Sequence, residues 1–180
     1  MNIRSKLGRV AGVAAAVVAI TGLGLTGTAS ASTARPAHPI LAKGCVFQTV
    51  NGHYLTAVGG GGRITDVIHT DAVNIGSWEK FRLVSAEDGQ HYGFETLNHT
   101  YLTAVGGGGR ITDVIHSDAI HLLAWEKFSL HYLGNGQYAI QTVNGHYLTA
   151  VGGGGRTTDT IHSDATQIGS WEKFRISCGH

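Results

Sequence analysis

From residue 44 onward, hydrophobic and polar positions alternate with a period of two, and no stretch there carries a sustained stripe of period 3.6. Cys45, Phe47 and Thr49 interleave with Val46, Gln48 and Val50. Tyr92, Phe94 and Thr96 occupy the same places further along, and Tyr138, Ile140 and Thr142 occupy them a third time. Each run meets an N-x-x turn: Asn51-Gly52-His53, Asn98-His99-Thr100 or Asn144-Gly145-His146. Asn-Gly between alternating segments is a strong hairpin signal. In the first unit a second strand is predicted over residues 54–58, with Leu55 and Ala57 on one face. A third is predicted over residues 64–69, and a fourth over residues 80–84 with Phe81 and Leu83 on one face.

The units are copies of one another. Residues 54–69 read YLTAVGGGGRITDVIH, residues 101–116 read the same, and residues 147–162 read YLTAVGGGGRTTDTIH. A W-E-K-F element follows each copy, beginning at Trp78, Trp125 and Trp171, at spacings of 47 and 46 residues. Four strands in each of three repeats, approximately residues 45–87, 88–133 and 134–180, make twelve.

N-G-x-Y-L-x-A, a glycine run and I-G-x-W-E-x-F, recurring at even spacing over residues 45–178, resemble the β-trefoil of the fascin and hisactophilin group. The resemblance implies an all-β fold of twelve strands in three pseudo-symmetric four-strand repeats. It implies a six-stranded barrel closed at one end by three hairpins. Exported bacterial members of the group bind carbohydrate, and animal and amoebal members bind actin, so the fold leaves function to the site. In a trefoil the first and last strands are neighbours. That places Cys45 beside Cys178 and predicts one disulfide between them, against the alternative of two buried thiols.

The start of the chain has a different character. Arg4, Lys6 and Arg9 precede an apolar run over residues 10–25, and Ala29-Ser30-Ala31 gives an A-x-A end. This pattern predicts a secretory signal peptide cleaved after Ala31, and the run is short for a bilayer span. Residues 32–43 hold both prolines and no repeat, so they are expected as a flexible tail before a single domain over residues 44–180. Removing the three leader cations takes the formal charge from +1 to −2. A mildly acidic product gives no electrostatic reason to expect nucleic acid or an anionic membrane as partner. Export places both cysteines in an oxidising compartment.

The candidate chemistry lies in the repeats. The glycine tetrads at residues 59–62, 106–109 and 152–155 lack the G-K-[ST] and the following helix of a phosphate loop. They are expected as flexible hairpin loops, with a shallow groove beside the following Arg63, Arg110 or Arg156 as the functional alternative. After them comes D-x-x-H-[TS]-D: Asp66, His69 and Asp71; Asp113, His116 and Asp118; Asp159, His162 and Asp164. Residues two apart in an extended chain point the same way, so His69 and Asp71 should converge on a rim. There they can hydrogen-bond sugar hydroxyls. The second Asp of each motif also suits a turn, capping backbone N–H groups. One His with carboxylates and no fixed third ligand is not a metal motif, and no cofactor is expected.

Ser117, beside His116, cannot share its proton in a triad, because neighbouring strand residues face opposite ways. Near-identical polar clusters in three copies suit binding rather than catalysis, which needs separately tuned groups. The tryptophans are expected to build the cap and core rather than sugar platforms. Repeat two replaces the Ile-Gly-Ser before its Trp by Leu122-Leu123-Ala124, and repeat three has Thr157 and Thr160 in place of Ile and Val. The 11 histidines suggest a pH response, since His changes charge nearest neutral pH. The chain therefore reads as a secreted non-catalytic module with up to three equivalent weak sites for carbohydrate or a glycoconjugate surface. A protein-binding trefoil, actin-binding or hydrolase-inhibiting, is the alternative.

Overall fold

The computed structural model describes residues 38–179. The expected signal peptide and residues 32–37 of the expected tail lie outside them. Twelve strands follow in order: β1 (Ile40–Gln48), β2 (Tyr54–Ala57), β3 (Ile68–Ala72), β4 (Phe81–Ser85), β5 (Tyr92–Glu95) and β6 (Tyr101–Ala104). Then come β7 (Ile115–Ala119), β8 (Phe128–Gly134), β9 (Gln137–Thr142), β10 (Tyr147–Ala150), β11 (Ile161–Ala165) and β12 (Phe174–Gly179). All pairs are antiparallel.

Six strands close on themselves: β1 pairs β4, β4 pairs β5, β5 pairs β8, β8 pairs β9, β9 pairs β12, and β12 returns to β1. Closure leaves the barrel no free edge. The remaining strands form three hairpins, β2–β3, β6–β7 and β10–β11, attached through β1, β5 and β9. This is the β-trefoil. Alternation dictates its core. Each barrel strand sends one large residue inward: Phe47, Phe81, Phe94, Phe128, Ile140 and Phe174, all buried. Phe47 meets Phe81 and Phe94 edge-on, with ring centroids 5.3 and 5.0 Å apart. The hairpins add Leu55, Leu102 and Leu148 with Ile68, Ile115 and Ile161.

Cys45 in β1 and Cys178 in β12 form a disulfide, 133 residues apart in sequence. Adjacent registers, Val46 opposite Ser177 and Phe47 opposite Ile176, bring them together.

Two boundaries differ from expectation. Residues 38–43 are not a loose tail: Ile40 pairs with Val84 and Lys43 with Gly179, while Ser85 N–H donates to the Pro39 carbonyl at 2.9 Å. The edge of β4 that faces away from β5 supplies these residues with hydrogen bonds that no local pattern announces. The third strand begins at Ile68 rather than residue 64, because Asp66 adopts φ 50° and breaks the extended run.

The glycine tetrads are structural locks, not flexible loops. Gly60 and Gly61 are buried, and all four glycines of the first tetrad have positive φ. Asn98 of the second repeat donates from Nδ2 to the carbonyls of Gly59 and Gly61 at 3.0 and 3.1 Å. Its N–H bonds the Gly60 carbonyl at 2.9 Å. Asn144 holds Gly106 and Gly107 in the same way, and Asn51 holds Gly152 and Gly153. The second and third repeats thus each grip the tetrad of the repeat before, and the first grips that of the third. The Ser or Thr of D-x-x-H-[TS]-D completes the ring: Ser117 N–H donates to the Arg63 carbonyl, Ser163 to Arg110 and Thr70 to Arg156, each at 2.8 Å.

Candidate functional site

The turns between tetrad and third strand position the polar motif. Asp66, Asp113 and Asp159 sit at φ 50°, 49° and 49°, in the left-handed region that non-glycine residues seldom occupy. Each exposed carboxylate is held from both sides. Asp66 Oδ1 lies 2.6 Å from His69 Nε2, and Asp66 Oδ2 accepts from Arg63 Nη2 at 3.4 Å. The Asp113–His116 and Asp159–His162 distances are both 2.7 Å, with Arg110 and Arg156 at 3.4 and 3.2 Å. Each arginine also donates from Nε to a carbonyl two residues on, at Thr65, Thr112 or Thr158. The result is three copies of one Arg–Asp–His cluster. The carboxylates are half exposed and the histidine side chains one-quarter exposed.

The motif divides differently from the sequence expectation. His69 pairs with the first Asp of its segment, not with Asp71. Asp71, Asp118 and Asp164 are exposed on β3, β7 and β11 rather than capping turns. The register β2–β3, with Tyr54 opposite Ala72 and Thr56 opposite His69, contains a bulge that a count of two could not foresee.

Of each cluster the aspartate borders a shared depression, while the arginine and histidine lie outside its lining. Residues 64–68, 111–115 and 157–161 line one open depression of about 650 Å³, to which all three repeats contribute. Its surface is apolar around Ile64, Val67, Ile111 and Val114, with Thr157 and Thr160 completing the third side. Asp66, Asp113 and Asp159 belong to the same wall.

The tryptophans overturn the core expectation. Trp78, Trp125 and Trp171 are 45%, 49% and 47% exposed. The buried member of W-E-K-F is instead the glutamate. Glu79 accepts from Thr56 Oγ1 at 2.7 Å and from the Gly76 N–H at 2.6 Å. Glu126 and Glu172 bind Thr103 with Leu123 N–H, and Thr149 with Gly169 N–H. A carboxylate satisfied by two donors fixes the turn and turns the indole outward. Repeat two makes this turn without its glycine. Leu122 is buried there because Gly93, opposite it, leaves room: a Cβ on Gly93 would collide with the Leu122 side chain.

No protein-family model matches the chain, and no curated protein matches its sequence. Solved structures match in fold. The designed threefold-symmetric protein ThreeFoil superposes with TM-score 0.62 at 12% identity, over 74% of this chain and 96% of that one. The Rhizoctonia solani agglutinin gives 0.62 at 15%, over 79% of this chain and 100% of that one. An exo-β-1,3-galactanase from Clostridium thermocellum gives 0.63 at 12%, over 79% of this chain and 31% of that one. At these identities the likeness is one of fold, and it places the chain among β-trefoil proteins. Among the described residues no helix is long and apolar enough to cross a membrane, and the disulfide suits an extracellular setting.

Proposed function

We propose that this chain is an exported β-trefoil of the fascin and hisactophilin type that binds carbohydrate without catalysing a reaction. The repeated D-x-x-H-[TS]-D segments supply its binding groups. The observation that carries the reading is the triplicated Arg–Asp–His cluster. An exposed carboxylate is pinned in a rarely adopted backbone conformation, and such outliers gather at functional sites. Each carboxylate keeps lone pairs beyond those used by His and Arg, and each guanidinium keeps unused N–H donors. That combination of fixed acceptors and donors suits vicinal hydroxyls. Three near-identical clusters lack the unequal pair of groups that acid–base catalysis requires. An agglutinin among the matched folds agrees with a binding role, and the galactanase is a far longer chain.

A glycan array tests this. The residue 32–180 protein should bind at least one glycan class, and the triple variant His69→Ala, His116→Ala, His162→Ala should lose that signal while keeping its thermal transition. An array blank at high protein density overturns the reading.

One observation favours the protein-binding alternative. Ile120, Leu123 and Trp125 are 59%, 65% and 49% exposed within six residues of repeat two. Capture of a protein partner that is lost in Leu123→Ser but kept in the triple histidine variant would establish it.

A further inference from the structure

The geometry points to one carbohydrate ligand seated in the depression between the three repeats and shared by Asp66, Asp113 and Asp159, rather than three ligands held separately. This inference rests on the carbohydrate reading above and specifies how its groups are used. Residues from all three repeats line one depression of about 650 Å³, and the three exposed aspartates are part of its wall. A single hexose ring is smaller than this space, so a disaccharide end fits it without leaving the reach of the walls.

The chemistry of the walls selects the ligand class. The wall carries three carboxylates and no cation, and each carboxylate is paired with an arginine outside the lining, so its charge is offset and an uncharged polyhydroxyl ligand is favoured over an anion. Ile64 and Ile111, each 56% exposed, present aliphatic surface to which the C–H face of a sugar ring can pack. Repeat three breaks the symmetry. Thr157 is exposed where the other repeats have isoleucine, and it brings a hydroxyl to one side of an otherwise aliphatic surface. Thr160 donates to the Ile68 carbonyl at 2.7 Å, which ties that side of the depression to repeat one. A ligand with an apolar face toward repeats one and two and a hydroxyl toward repeat three satisfies every wall.

The site is also pre-organised. The lock from Asn98, Asn144 and Asn51 to the tetrads, and from Ser117, Ser163 and Thr70 to the arginine carbonyls, holds the three turns in a closed ring. Little ordering remains to oppose binding.

Isothermal titration of the residue 32–180 protein with lactose, cellobiose, chitobiose and mannobiose tests the inference. One of them is expected to bind with a stoichiometry of one. Asp66→Asn, Asp113→Asn and Asp159→Asn, made singly, should each weaken that one event about tenfold. Asn tolerates left-handed φ, so these variants keep the turn. Thr157→Ile should weaken binding several-fold. In the unmodified protein, the methyl resonances of Ile64 and Ile111 should shift along one common saturation curve. A stoichiometry near three, falling to two in each Asp variant at unchanged affinity, overturns the shared site and leaves carbohydrate binding standing. A stoichiometry of one, unaffected by all three Asp variants, places the sugar elsewhere and also overturns it. Failure of all four sugars while a glycan array stays positive overturns the shared disaccharide site and leaves carbohydrate binding standing; a blank array as well overturns both readings.

Discussion

Gly61 is the position at which the tetrad's role as a lock can be measured most directly. Its φ is 97° and its ψ −176°, a conformation that side-chain-bearing residues essentially do not adopt. A Cβ there would collide with Oγ1 and Cβ of Thr96 in the next repeat. Gly61→Ala therefore incurs two penalties. Backbone strain amounts to about 1–3 kcal/mol, and overpacking against a buried neighbour adds about 1–3 kcal/mol. The expected loss is roughly 2–6 kcal/mol, or about 3 °C in Tm per kcal/mol for a domain of this size. Gly59 supplies the control. It sits in an ordinary left-handed conformation, φ 68° and ψ 8°, and an added Cβ would meet only the Arg63 side chain at 3.8 Å. Gly59→Ala should lose about 1–2 kcal/mol. Urea denaturation of both variants gives the comparison. Adding Thr96→Ala to Gly61→Ala should recover part of the loss, a coupling of about 1–2 kcal/mol within the range of touching residues. Equal, small losses for Gly59→Ala and Gly61→Ala, with no coupling to Thr96, would refute the lock and restore the flexible loop.

Further outcomes follow from the same structure. Replacing Cys45 and Cys178 together by Ala should destabilise the domain by about 2–5 kcal/mol, since the bridge closes most of the chain; an unchanged urea midpoint would refute this. Glu79→Ala should lose about 2–4 kcal/mol by stranding the Thr56 hydroxyl and the Gly76 N–H, whereas the half-exposed Trp78→Ala should lose less; a reversed order in thermal melts would count against the turn described. Asp88 is held well below the usual carboxylate range, first by the hydrogen bond from Lys127 and then by the N–H groups of Gln90 and His91. A depressed carboxyl adds stability that is present above about pH 4 and lost as pH falls. Asp88→Asn should therefore flatten the acid limb of a Tm–pH profile without altering its neutral plateau slope; an identical acid limb would refute the assignment.

Much of the architecture was readable along the chain because its causes are local. Period-two alternation gave the barrel strands and set Phe47, Phe81 and Phe94 on the faces that the barrel buries. N-x-x turns marked the junctions of β1 with β2, β5 with β6 and β9 with β10, and triplication implied threefold closure. The cysteine pairing needed only the neighbourhood of first and last strands that the resemblance implied. The polar segment was recognised, yet its pairing was not. Alternation linked His69 to Asp71, while left-handed Asp66 turns back to take that histidine. A single φ reversal is invisible to a periodicity count.

Residue type alone misled at W-E-K-F, where an indole suggested core and a carboxylate suggested surface. Gly76, in the same turn, supplies one donor to Glu79, but the other, Thr56, comes from a separate strand, so burial of the charge depends on a donor that only the folded chain brings to it. The same holds for the tetrads, whose partners Asn98, Asn144 and Asn51 belong to the next repeat around the ring. Local alternation and turn chemistry determined by themselves that this protein is three copies of a four-stranded unit. The docking of copy on copy decided the rest: which glycines are rigid, which aromatic side chains face solvent, and that an aspartate of each repeat borders one depression. Contacts between repeats join residues distant along the chain, and their register is set by packing rather than by any pattern within one unit.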